Sequence, residues 1–227
     1  MANKIFSLFQ SDLEFSLGRP SGDLGTYVDN WINTAYMTIA TKQRHTHSKT
    51  RKQYEIYFPQ LETIGSVNTV DGTATVAVPA DCLYIRTVHD STSDVKLTSM
   101  DTWEDYVAKT GRADTDQEAA PTEWVRHAST VYLYPTPDAV YAMKIWYRKR
   151  PAALTAAGDQ TVLGEEWDEP IQLLATAQSF MRMREFDNAK IFRTEFDEMM
   201  DDLCEVYFKE HDDKQSTRYI STSYLSD

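Results

Sequence analysis

The chain has 227 residues, 41% of them hydrophobic, with a formal net charge of −12. That is enough apolar residue for a sizeable core in one large domain or a domain with an insertion. The charge speaks against a non-specific grip on nucleic-acid phosphates, since like charges repel. Two cysteines, Cys82 and Cys204, suggest a reducing compartment and no disulfide framework.

Residues 1–20 read as an N-terminal arm. Ile5, Phe6, Leu8, Phe9, Leu13, Phe15 and Leu17 are frequent, and Gly18 and Pro20 then stop any regular element. No apolar run approaches the roughly 20 residues of a membrane-spanning helix, and no signal-peptide core is visible. A soluble protein made in a cytoplasm is the expectation. The first helix is predicted over 23–41, with Leu24, Val28, Trp31, Ile32, Ala35 and Ile39 as its apolar stripe and Ser21 or Asp23 as its cap.

A basic cluster follows, Lys42, Arg44, Lys49, Arg51 and Lys52, enclosing His45 and His47. It can be a solvated loop, a phosphate contact or a dock for an acidic partner such as a second copy. The two histidines lack a third ligand at a convincing spacing and read as exposed loop residues.

From 53 the period becomes two. Strands are predicted at 54–58, 73–78, 83–89, 95–98, 123–127, 131–134 and 140–147, with a turn at Asp71-Gly72. A short helix over 100–109 interrupts them. It is capped by Asp101, with Trp103, Tyr106 and Val107 on one face. The stretch from Thr130 to Pro151 reads as a hairpin around Tyr134-Pro135-Thr136-Pro137, because proline cannot donate to a ladder. Tyr141, Met143, Ile145 and Tyr147 form its packed face. Lys144, Trp146 and Arg148 form an outward face for a neighbouring subunit, with Arg44 and Arg51 as further candidate contacts.

Two helices close the pattern. Ile171, Leu174, Ala175, Gln178 and Met181 stripe the first, which opens at Asp168 or Glu166 with Pro170 in its first turn. A break is expected at 186–188. The second, about 189–211, carries Phe192, Phe196, Met199, Leu203 and Val206. From 165 to 213 there are 15 acidic and 5 basic residues, read as a solvated or channel-facing surface. Residues 214–227 read as a polar tail with apolar pairs at Tyr219-Ile220 and Tyr224-Leu225.

The expected fold is α+β. One N-terminal and two C-terminal helices form an antiparallel bundle (21–52 and 165–213), and a small antiparallel β-sandwich or barrel is inserted at 53–164. Phosphate-cradling loops and nucleophile elbows are absent from the sequence. The carboxylate pairs lie beside apolar stripes rather than around a pocket. No catalytic, cofactor-binding or metal-binding residue is assigned, and no enzyme activity is expected.

With this order in view, the chain resembles the head-to-tail adaptor (connector, or gatekeeper) proteins of tailed bacteriophages. The resemblance lies in the early helix Val28–Tyr36, the Leu133–Asp138 turn, the strand closing at Arg150-Pro151, the helical pair opened by Trp167 and Pro170, and the tail. It implies a structural virion protein at the head–tail junction. Such proteins form a ring, usually of twelve copies, seated under the portal protein and followed by a downstream tail or nozzle protein. DNA passes through the ring without sequence-specific binding, and no membrane is involved. The tail would grip the portal, with Tyr219, Ile220, Tyr224 and Leu225 as anchors, because buried aromatics carry most interface energy. Two other readings are another neck or tail-tube component, and a carbohydrate-binding or carbohydrate-cleaving module using Trp103, Trp124 and Trp146.

Overall fold

The computed structural model describes residues 3–20, 22–111 and 118–208. In chain order the elements are α1 (Phe6–Ser16), α2 (Thr26–Thr41), β1 (Arg44–Thr46), β2 (Gln53–Glu55), β3 (Glu62–Asn68), β4 (Thr75–Ala77), β5 (Cys82–Asp90), β6 (Val95–Lys96), β7 (Thr98–Ser99), α3 (Trp103–Thr110), β8 (Glu123–His127), β9 (Thr130–Tyr134), β10 (Ala142–Lys149), α4 (Asp168–Arg182) and α5 (Phe186–Tyr207). The fold is α+β, and the chain divides into two compact units, Met1–Gln60 with Ala152–Asp227, and Leu61–Pro151. The second unit is shorter than the insertion expected over 53–164.

In the first unit α4 packs against α1, α2 and α5. Helix α2 buries Val28, Ile32, Ala35, Tyr36, Ile39 and Ala40, an i, i+4, i+7 stripe close to the expected one. It starts later than expected, at Thr26, where Gly25 takes φ 50° and no side chain caps the helix. Residues 1–20 carry a helix rather than an arm. Phe6, Phe9 and Leu13 of α1 are buried because i, i+3, i+7 spacing puts them on one side.

Helix α4 begins at Asp168. This carboxylate caps nothing in its own helix. It accepts the Lys4 backbone N–H at 2.6 Å and the Thr161 hydroxyl at 3.0 Å instead. Arg184, at φ 65°, turns the chain just before the break expected at 186–188. In α5 the buried residues are Ala189, Phe196, Met200, Asp201 and Cys204. The face is therefore rotated from the predicted one: Phe196 holds its place, and Val206 is exposed.

The second unit contains two four-stranded sheets, β3-β10-β5-β6 and β4-β9-β8-β7. Pairing is antiparallel except between β7 and β8. One apolar cluster draws on both sheets, with Val76, Val88, Trp124, Val131, Leu133, Met143, Ile145 and Tyr147. The expected hairpin across Pro135 and Pro137 does not form. Strand β9 pairs with β4 and β8, whereas β10 pairs with β3 and β5. Residues 135–141 thus carry the chain from one sheet to the other. Strand β3 escaped prediction because Gly65 interrupts its pattern. A Cβ there would lie 3.1 Å from Pro79 and 3.2 Å from the Tyr147 ring, so the close approach calls for glycine. The Asp71-Gly72 turn forms as expected, with Val70 bridged to Thr73 and Gly72 at φ 69°.

Helix α3 is capped by Thr102, one residue after the predicted Asp101. The Thr102 hydroxyl accepts the Asp105 N–H at 3.2 Å, and the Asp105 carboxylate accepts the Thr102 N–H at 3.0 Å. Tyr106 is buried, while Val107 is exposed. Replacing Thr102 with Ala is expected to cost about 1 kcal/mol in urea unfolding, the usual weight of an N-cap. No loss would mean the helix start is held by Trp103 packing alone.

Candidate interaction surfaces

The basic cluster at 42–52 forms a two-stranded hairpin, β1 with β2, that pairs His45 with Tyr54. Alternation along β1 points Arg44 and Thr46 outward and His45 inward. The two histidines are not exposed loop residues: His45 and His47 are 5% and 7% exposed. Both lie against Asp201 of α5, about 155 positions away in sequence, and Asp201 is itself buried. The reading of every acidic pair as a solvated surface therefore fails at Asp201-Asp202.

The geometry fixes the tautomer of His45. Its Nδ1 faces the Lys42 ammonium at 3.0 Å, a group that only donates, so Nδ1 accepts. Nε2–H then donates to Asp201 Oδ1 at 2.6 Å. Asp201 also accepts the Ser48 N–H at 3.1 Å and the Ser48 hydroxyl at 2.5 Å. His47 Nδ1 accepts the Lys49 N–H at 3.1 Å, and its Nε2 reaches Glu205 at 3.1 Å. Burial pushes the His45 imidazolium below its ordinary range, and the neighbouring Lys42 adds to this against the opposing pull of Asp201. Burial alone would raise the Asp201 carboxyl, but bonds from Ser48 and His45 bring it below its ordinary value. Cys204, wholly buried beside this cluster, has its thiol pushed up to about 12 by burial, which suits a packing role.

The hairpin is thus locked to α5 by its inward side, leaving Arg44 and Arg51 exposed outside. Lys49 meets Glu198 at 3.4 Å with both side chains mostly exposed, a contact of little energetic weight.

In the second unit, Met143, Ile145 and Tyr147 of β10 are buried as expected, Lys144 is exposed and Trp146 is half-exposed. Arg148 keeps the parity of Lys144 and Trp146 but is fully buried, so it is not open to a neighbouring subunit as expected. Strand β10 pairs with β3 in unbroken register from Ala142 to Arg148, and the shifts against β5 leave the extra residues in β5, so alternation along β10 itself holds. Trp146 pairs across the strands with Ile64, which is 53% exposed, and stands edge-on to His89 at 5.8 Å. The three tryptophans of the carbohydrate reading do not share a surface. Trp124 lies in the shared core, and Trp103 stacks on Tyr106 and on His127 beside Tyr132. The tail candidates Tyr219, Ile220, Tyr224 and Leu225 lie outside the described residues.

Sequence reading missed a groove of about 860 Å³ in the first unit, lined by Tyr27 and Trp31 of α2, Leu174, Ala177 and Met181 of α4, and Ala189 of α5. Met181, expected in the apolar stripe of α4, is 55% exposed, and Tyr27 is also exposed. The available signal was the width of the α2 and α4 stripes, wider than one partner helix covers.

Among the described residues, no group of three or more His, Cys, Asp or Glu could hold a metal ion, and no helix is long and apolar enough to cross a membrane. In comparison with known proteins, the family model described as SU10 adaptor protein matches residues 6–222. None of the curated proteins compared matches the chain.

Proposed function

The chain belongs to the SU10 adaptor protein family of phage head–tail adaptors, and on that premise we propose that it forms a ring, of about twelve copies in such adaptors, between the portal and the tail. The family places it among the structural components of the phage neck and virion. The match over nearly the whole chain is the observation that carries the reading. The acidic α4–α5 segment supports it. Like charge repels the DNA backbone, so a channel lined this way lets DNA pass without holding it. In this reading the helical unit forms the ring body, the inserted β unit adopts a sandwich and meets the next neck component, and Tyr219, Ile220, Tyr224 and Leu225 of the tail grip the portal. Lys144 and Trp146, with Arg44 and Arg51, are the remaining candidate contacts.

Mass photometry and negative-stain imaging of the chain, alone and with its cognate portal protein, test this. Closed rings on the portal are expected. A strict monomer that never associates with the portal rejects it. Removing residues 214–227 is expected to leave the unfolding transition unchanged and abolish portal docking. Retained docking would remove the tail from this role.

A further inference from the structure

The helical unit carries two apolar features that its own core leaves uncovered. The first is the α2–α4–α5 groove, with Tyr27 and Met181 open to solvent. The second is a ridge on α1. Leu8 and Phe15 are 50% and 86% exposed, and seven residues of helix bring them nearly onto one line. A contiguous apolar groove is the kind of exposed feature that marks an interaction site, and Leu8 with Phe15 gives the same unit a second apolar patch.

Their placement is opposed. Asp29 of α2 accepts a hydrogen bond from Gln10 of α1 at 2.5 Å, which fixes the side of α2 that α1 occupies. Trp31, on the groove, follows two residues later, about 200° around the helix. Groove and ridge therefore flank α2 on opposite sides, so neither can fill the other within one chain. Two unlike surfaces on opposite sides make a heterologous contact, the type that propagates head to tail and closes into rings.

Charge agrees with this pairing. The groove is rimmed by Arg182 and Arg193, the latter also paired with Asp197 at 3.3 Å, on a molecule whose net charge is −12. The ridge bears an exposed carboxylate, Asp12, between Leu8 and Phe15; within the chain it meets Lys4 at 2.5 Å. A groove of this size accommodates the Phe15 and Leu8 side chains together, and a single aromatic buries about 150–250 Å².

We propose that the α2–α4–α5 groove of one copy receives the Leu8–Phe15 ridge of a second copy, as the repeating contact of the ring. This rests on the ring reading above and names its interface. The test uses the full chain under the conditions in which the wild type assembles. Phe15→Glu and Met181→Glu both alter exposed side chains, and circular dichroism melting checks that each still folds. Each variant alone is expected to lose assembly by about tenfold or more. Mixed one to one, each variant retains one intact surface, so the pair is expected to form dimers and stop there. Wild-type-sized rings from either folded variant overturn this interface and leave the ring intact. Loss of assembly with Met181→Glu only also overturns it, since the groove would then hold something other than α1. A wild type that never self-associates rejects the ring reading and this contact together.

Discussion

Replacing Asp201 with Ala is expected to destabilise the chain by about 3 kcal/mol in urea unfolding. The substitution removes one acceptor that serves three donors, the His45 Nε2–H, the Ser48 N–H and the Ser48 hydroxyl. Each bond is worth about 1 kcal/mol, and a buried donor left unpaired adds its own desolvation cost. Asp201→Asn is expected to recover only part, because its amide offers one acceptor oxygen where the carboxylate offers two. A loss below about 1 kcal/mol would show that water replaces the carboxylate without cost. The same cluster sets a pH dependence. His45 faces Lys42 from the end of α2, His47 and Ser48 from its own hairpin, and Asp197 and Asp201 from α5. Its imidazole is lowered from 6.5 in the folded chain, so the unfolded chain takes up the proton first. The stability this group lends is complete above 6.5 and declines as pH falls through the lower folded value. Asp201, lowered from 3.8, extends the same loss into acid. His45→Gln is expected to flatten the decline just below pH 6.5. An unchanged slope would assign it to other groups.

Trp167→Ala carries the other large effect, a loss of about 3–5 kcal/mol expected from emptying a fully buried indole site. Trp167 sits in the turn before α4, 2% exposed. It stands edge-on to Phe58 at 5.0 Å and tilted against Phe208 at 5.7 Å. It joins the segment after β2, the start of α4 and the end of α5, so no single neighbour can close the gap. Trp167→Phe is expected to cost distinctly less, since a ring remains for the edge contact. Equal losses from the two variants would point to the indole N–H rather than to volume.

Element type was legible wherever one face alone was buried. The α2 stripe from Val28 to Ile39 and the Met143–Tyr147 face of β10 follow directly from periods of 3.6 and two. Gly72 marked its turn because few other residues take its φ. The failures share a cause: a partner distant in sequence. Gly65 weakened the β3 pattern, and only Pro79 and Tyr147 pressing on it explain the glycine. Arg148 keeps its parity along β10 and is buried all the same, because alternation says which side a residue faces and not what covers that side. His45 and Asp201 each looked like surface residues, because a polar residue is buried only when a matching group meets it, and the match was about 155 positions away.

The α+β order and the acidic balance are read from the chain alone, because they depend on local period and composition; the resemblance to phage adaptors rests on the arrangement of the elements. Which strands share a sheet, which face of α5 is buried, and the exposure of Met181 and Phe15 come from the packed fold. Those depend on how many neighbours a residue acquires, and a periodic pattern records that a face is apolar without recording what covers it.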